Sequence, residues 1–250
     1  MVRERTVNKM IKANTVGAER RAQIGTEKRV RTRASILDAA FQVIGKESGR
    51  LARIEEVTAV ARVARPTFYT YFNGLDELFA ALSYEISHEY NLGVEAYCAI
   101  QNDAAKEASG GIRYYLRKAA EDHKWGWGMV NLSFFGPIFG VETHRMVTQT
   151  VVKGLKSGVF KAHSINVGRD MMLGTTLAAM TTLLHGDGGR KYPEIVAREI
   201  LVGLGMTPSR ADQVIGLTLP DPESLLKTKQ GTAAIRKAVS TGRRQPGKSA

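Results

Sequence analysis

One guanidinium, two phenols and two aliphatic hydroxyls fall within Arg65-Pro66-Thr67-Phe68-Tyr69-Thr70-Tyr71. Such a set suits phosphate oxygens and base edges, because Arg presents a fork of donors and hydroxyls can donate or accept. Helical spacing lets Val63, Phe68 and Phe72 face inward. Arg65, Thr67, Tyr69, Thr70 and Tyr71 are then left around the leading end and outer face of a short helix, with Pro66 in its first turn.

The flanking residues supply the elements that would hold this helix. Arg53–Ala61 reads as a helix of about two turns, with Ile54, Val57 and Ala61 at helical spacing. Arg62-Val63-Ala64 leaves room only for a tight turn. Two short helices joined this way form a helix-turn-helix, whose second helix can enter the DNA major groove. A helix from about Thr32 to Lys46 precedes them, with Thr32 as N-cap and Ile36, Leu37, Ala40, Phe41 and Ile44 on one face. A long helix follows from Leu75 to about Cys98, carrying Asp76 and Glu77 in its first turn, where the helix dipole favours acids.

At these residues the chain resembles the TetR family of transcriptional regulators. The resemblance covers roughly residues 31 to 82 without a gap. It runs through Ile36-Leu37-Asp38-Ala39-Ala40-Phe41, the segment Thr67–Phe72, and Leu75-Asp76-Glu77-Leu78. Three positions depart from the usual pattern: Arg62 stands where the family has a turn glycine, Ala64 where it has a small hydroxyl or acidic residue, and Leu75 where it often has a phosphate-binding lysine. Arg53, at the entrance of the second helix, can replace that charge. The resemblance implies Arg65 and Tyr69 as first choices for base edges, then Thr67 and Thr70, with Arg53 and Tyr71 on phosphates. The loop Val159-Phe160-Lys161 and the Leu204-Gly205 and Ala211 pattern are more loosely similar to the same family.

The charge is unevenly placed. Of the net +12, residues 1–33 carry ten basic against three acidic side chains, and residues 221–250 carry seven against two. The part between is neutral, so the basic character belongs to the ends and flanks the DNA-reading helices. Lacking a sustained apolar period, residues 1–27 read as a flexible basic arm and 221–250 as a basic disordered tail. The domain boundaries expected are 28–74 for DNA binding and 75–220 for effector binding and dimerisation. No stretch reaches 18 uninterrupted apolar residues, and the basic start lacks the apolar core of a signal peptide. The lone Cys98 fits a reducing cytosol, so a cytoplasmic protein is expected. Asn131-Leu132-Ser133 matches a glycosylation pattern that is incidental in that compartment.

From residue 103 onward the pattern is helical, with helices expected over 103–123, 127–135, 141–157, 166–185, 192–204 and 209–215. Gly110-Gly111 and Gly126-Trp127-Gly128 read as helix breaks. The run Met171–Leu184 carries no charge, and its small residues Gly174, Ala178 and Thr181 allow close helix approach. With Val196 and Ile200 on the following helix, these form the expected dimer interface, as the resemblance implies. Trp125, Trp127, Met129, Phe134 and Phe135 cluster in sequence; Tyr97, Met146 and Met171 can join them in a bundle. They are the expected lining of an apolar pocket, although an aromatic cluster at helical spacing serves equally as core.

An enzyme is not indicated. His88, His123, His144, His163 and His185 show no metal-ligand spacing, and no glycine loop follows a strand. The sequence therefore predicts an all-α protein: a three-helix DNA-binding head and a helical bundle for ligand and dimer, needing no cofactor. Its expected partners are a palindromic double-stranded operator, a twin subunit and a small hydrophobic or aromatic effector that releases a repressor; no membrane is expected. The alternative is a helical ligand-binding or enzymatic protein that retains the head without reading DNA.

Overall fold

The computed structural model describes the backbone of residues 2–227 and the side chains of residues 20 and 22–227. The described residues form helices joined by turns and contain no strand. In chain order the helices are α1 (Val2–Ile44), α2 (Ile54–Ala61), α3 (Arg65–Tyr69), α4 (Leu75–Ala99), α5 (Ala104–Glu121), α6 (His123–Leu132), α7 (Gly140–Lys156), α8 (Ile165–Leu184), α9 (Tyr192–Gly203), α10 (Pro208–Ile215) and α11 (Pro222–Leu226). A 3₁₀ turn, Glu47–Leu51, joins α1 to α2. None of these helices is long and apolar enough to cross a membrane.

Several helices start where a side chain satisfies an orphan N–H. The Asp103 carboxylate accepts from Ala105 N at 2.8 Å, Asp122 from Trp125 N at 3.0 Å, and Ser164 Oγ from Val167 N at 3.2 Å. At α4, Glu77 accepts from both the backbone N–H and the side-chain amide of Asn73, at 2.9 and 2.8 Å.

Four expectations about element boundaries change. Helix α1 begins at Val2, not Thr32, so the segment expected as a separate flexible arm is continuous with the first helix of the head. No proline interrupts it, and its many Arg, Lys, Glu and Ala residues are strong helix formers even without an apolar stripe. Thr32 is inside the helix, donating Oγ1 to Lys28 O at 2.9 Å instead of capping. Gly126 and Gly128 do not break α6 but lie within it, since Asp122 starts the helix earlier. A Cβ at Gly126 would stand 2.8 Å from Leu184, and one at Gly128 3.1 Å from the Phe41 ring, so both glycines permit close packing. Gly110-Gly111 likewise lie inside α5, with the Tyr97 ring pressed on Gly110. Finally, the chain does not become tail at residue 221. Pro222 sits on Gly93 of α4, the Tyr114 hydroxyl donates to Pro220 O at 2.6 Å, and Arg113 donates to Leu217 O at 3.0 Å. Residues 228–250 of the expected tail lie outside the described residues.

Two cores result. Ile36 and Ile44 of α1, Val57 of α2, Phe68 of α3, and Leu78, Phe79 and Leu82 of α4 form the first. Helices α5 to α10 enclose the second. Phe41 and Ile86 pack against both. At the same junction Asn131 of α6, 3% exposed, donates to Ile44 O and Lys46 O at 2.8 and 2.7 Å, holding the end of α1.

Candidate DNA-reading head and ligand cavity

Arg62 turns the chain between α2 and α3 with φ 55° and ψ 42°. It adopts the left-handed conformation for which a glycine is usual, at a cost of about 1–2 kcal/mol. The N–H groups of Arg62 and Val63 donate to Ala59 O and Thr58 O at 3.2 and 3.1 Å, closing the end of α2. At its start, the Glu56 carboxylate accepts from Arg53 N at 2.9 Å, leaving the Arg53 side chain exposed.

Helix α3 is anchored by Phe68 and by Phe72 just beyond it, both buried, and by half-buried Val63. This is the inward face that the spacing predicts. Arg65, Pro66, Tyr69 and Thr70 are exposed, whereas Thr67 and Tyr71 are half-buried, Tyr71 resting on the head core. Thr70 Oγ1 donates to Thr67 O at 2.7 Å. Arg65 reaches back to Glu55 of α2 at 2.8 Å and lies 6.0 Å from the Tyr69 ring. Its hydrogen bond with Tyr69 and the Glu55 charge both favour the guanidinium, raising its pKa. An exposed pair of this kind adds little stability but restricts where the fork points. Sequence reasoning did not identify Glu55 as a partner, because the contact joins two helices ten positions apart. Leu75 is half-buried against the head core.

A second feature lies at the centre of the larger bundle. One stripe from each of four helices surrounds a cavity of about 50 Å³: Asn91, Val94 and Cys98 on α4; Glu107, Gly111 and Tyr115 on α5; Thr143, Met146 and Thr150 on α7; Met172, Leu173 and Thr176 on α8. It holds a few waters at most as it stands. The Tyr115 hydroxyl donates to Asn91 Oδ1 at 2.7 Å, Asn91 Nδ2 donates to Thr143 Oγ1 at 3.2 Å, and the Thr143 and Tyr115 oxygens lie 2.6 Å apart. Burial pushes the Tyr115 phenol pKa up, so it remains a neutral donor. At Glu107, 4% exposed, the carboxylate accepts from Lys153 Nζ at 2.9 and 3.1 Å and from Thr150 Oγ1 at 3.1 Å. Burial, helped by the Glu107 charge, pushes the Cys98 thiol pKa up to about 12. Phe139 completes the wall. It is buried, its ring lies 5.2 Å from that of Tyr115, and its backbone is left-handed, with φ 59°.

Residues 36–82 match the family model described as bacterial regulatory proteins, tetR family. These residues form a TetR-family DNA-binding head. Among solved structures, RolR in complex with resorcinol is 21% identical over 78% of this chain and 98% of its own, with a TM-score of 0.61. RolR without ligand is 20% identical over 76% and 99%, with a TM-score of 0.59. The transcriptional regulator FadR from Bacillus subtilis, in complex with stearoyl-CoA, is 19% identical over 68% and 96%, with a TM-score of 0.54. At these identities the likeness establishes the fold, which extends beyond the TetR head into the bundle. No curated protein matches the sequence.

Behind the TetR head, the expected pocket residues separate. Met146 alone of the eight lines the cavity. Trp125 stands one ring behind the wall, 5.4 Å from Tyr115, with Nε1 donating to Ile86 O at 2.8 Å. Met129 is fully buried core, and Tyr97 packs edge-on against Tyr114 at 5.4 Å. Trp127 meets His185, Phe134 is exposed beneath the Arg50 guanidinium, and Phe135 lies on Phe79 at 4.6 Å. Met171 is half-buried on α8. Trp125 and Phe135 instead border two other clefts, while the wall of the central cavity is mostly apolar, carries a few polar groups and is drawn from helices distant in sequence. The signal available in sequence was Asn91, Glu107, Thr143 and Thr150: polar side chains on otherwise apolar helix faces.

The expected interface residues divide as well. Ala178 is exposed, and Gly174 and Thr181 are half-buried. Val196 and Ile200 are buried in the bundle's own core, so they do not face outward. A helix must first bury one side against its own domain, and these two residues lie on that side. Ile195, 52% exposed, instead presents the outer side of α9.

Proposed function

We propose that this DNA-binding regulator is a homodimeric repressor, released from a palindromic operator when a small hydrophobic or aromatic effector enters the central cavity. The observation that carries this reading is the double role of α4. Its first turns place Leu78, Phe79 and Leu82 in the TetR-head core, and its later turns place Asn91, Val94 and Cys98 in the cavity wall. A ligand that widens the cavity against its α4 wall displaces the helix on which the head is mounted. Solved structures of this fold with resorcinol and stearoyl-CoA support a ligand-holding bundle. The uncharged stretch of α8 around the exposed Ala178, with the exposed Ile195 of α9, supports pairing with a second copy. In such a dimer Arg65 and Tyr69 meet base edges, with Thr67 and Thr70 beside them and Pro66 setting the helix start. Arg53 and Tyr71 meet phosphates.

The alternative of a head that does not read DNA loses one of its two supports, because Arg62 adopts the required turn. Leu75 packs on the head core, and the exposed Arg53 is the cation offered for the phosphate contact that a lysine there would make.

Gel shifts with the chain's own upstream DNA test the reading. Arg65→Ala should relax preference at one position per half-site, a loss of about 1–3 kcal/mol of discrimination. Ala178→Glu should leave a folded monomer that binds the operator far more weakly. Unchanged selectivity in the first variant, or a dimer in the second, refutes the corresponding assignment.

A further inference from the structure

Apart from Thr176, whose hydroxyl donates to Met172 O of its own helix, the hydrogen-bonding side chains of the cavity fall into two sets at opposite ends. Tyr115 and Glu107 are eight residues apart on α5, about 12 Å along the helix. Thr143 and Thr150 are seven apart on α7, and α4 runs from Asn91 to Cys98 over the same distance. The register agrees across all three helices: Asn91, Tyr115 and Thr143 bond to one another at one end, and Glu107 bonds Thr150 at the other. Between them stand Val94, Gly111, Met146 and Val147.

We infer that the cavity selects an uncharged ligand with a polar group at each end of an apolar, ring-sized body, one of these groups being a hydroxyl that donates to Glu107. The inference rests on the cavity being the effector site. At the Asn91 end each member of the hydrogen-bonded ring donates once and accepts once. Asn91 retains a second amide N–H, and the hydroxyl oxygens retain lone pairs, so a ligand hydroxyl can donate or accept there. At the other end a carboxylate offers about four acceptor sites, of which Lys153 and Thr150 use three. The remaining site requires a donor.

Charged ligands fail at both ends. A ligand carboxylate would confront Glu107, whose cation Lys153 is already engaged, and would find no cation near Asn91. A ligand ammonium would add a second positive charge beside Lys153. The Cys98 thiol, held protonated, offers neither sign. Widening is within reach of the wall, because Met146 and Met172 are flexible and nothing lies within 4 Å of a Cβ on Gly111.

Four probes on one frame test this by tryptophan fluorescence and calorimetry on the full chain: 1,4-benzenedimethanol, terephthalate, p-xylylenediamine and p-xylene. The diol should bind at least tenfold more tightly than each of the others. Glu107→Gln should weaken the diol and strengthen terephthalate about tenfold, because Lys153 is then unpaired; a purely structural role for Glu107 would weaken all probes alike. Terephthalate binding the parent as tightly as the diol overturns the inference and leaves the cavity as effector site. Equal binding of diol and p-xylene overturns the role of the polar ends. If none of the four binds, the cavity reading falls and the inference with it.

Discussion

The head and the bundle keep their polar groups in opposite places. In the head, Thr58 is the one buried polar side chain among the described residues 36–82, and Arg53, Arg65, Tyr69 and Thr70 stand outside a closed apolar core. In the bundle, Asn91, Glu107, Thr143, Thr150 and Thr176 are turned inward around a cavity. Under the proposed function the difference follows from the partner. DNA presents a fixed surface, and a rigid apolar core holds a reading helix best against it. A small molecule must be surrounded, so its hydrogen-bonding groups are built into an interior that can yield. Phe41, Ile86 and Asn131 join the two regimes, through packing at the first two and paired amide hydrogen bonds at the third.

The strongest way to break this comparison is to empty the head core. Phe68→Ala should cost about 3–5 kcal/mol, as for large buried aromatics generally. If head and bundle are separable, operator binding disappears while ligand-dependent tryptophan fluorescence persists. Simultaneous loss of both would make them one cooperative unit. A smaller effect should come from the joint. Asn131→Ala leaves Ile44 O and Lys46 O without their buried donors, a cost of about 1–3 kcal/mol. Both binding activities should survive, but the factor by which ligand lowers operator affinity should shrink, measured as the ratio of operator dissociation constants with and without ligand. A coupling factor equal to the parent's would place transmission elsewhere. The smallest change sharpens the picture of the turn. Arg62→Gly relieves about 1–2 kcal/mol of left-handed strain but adds roughly 0.5–1 kcal/mol of unfolded-state entropy. The net gain of up to about 1.5 kcal/mol should raise Tm by a few degrees with operator affinity unchanged. A lower Tm would show that Arg62 is held by something worth more than its strain.

The same contrast explains what could be read in advance. The head was legible because its signals are local: Phe68 and Phe72 sit four apart, the turn is three residues long, and Glu77 caps from the turn it begins. The start of α1 was not, because a polar helix leaves no apolar period to mark it. Gly126 and Gly128 misled because glycine signals a break locally, whereas here it answers to Leu184 and Phe41, distant in sequence. The cavity was missed for a related reason. Its lining comes from residues 91 to 176, three to five per helix, and of the conspicuous aromatics Trp125 stands behind the wall while Phe134 is exposed. Val196 and Ile200 showed which positions on α9 are apolar but not which of its faces looks inward.

Phe139 joins two properties that most proteins keep at separate positions. Its ring closes the cavity, and its backbone holds a conformation that costs about 1–3 kcal/mol for a residue with a side chain. The one substitution that relieves the backbone, Phe139→Gly, also removes the ring, so that change cannot alter one trait alone. Such a position is pleiotropic and should resist drift. New ligand preferences arise more readily at Met146 and Met172, where side chains can be exchanged one at a time without disturbing the backbone turn.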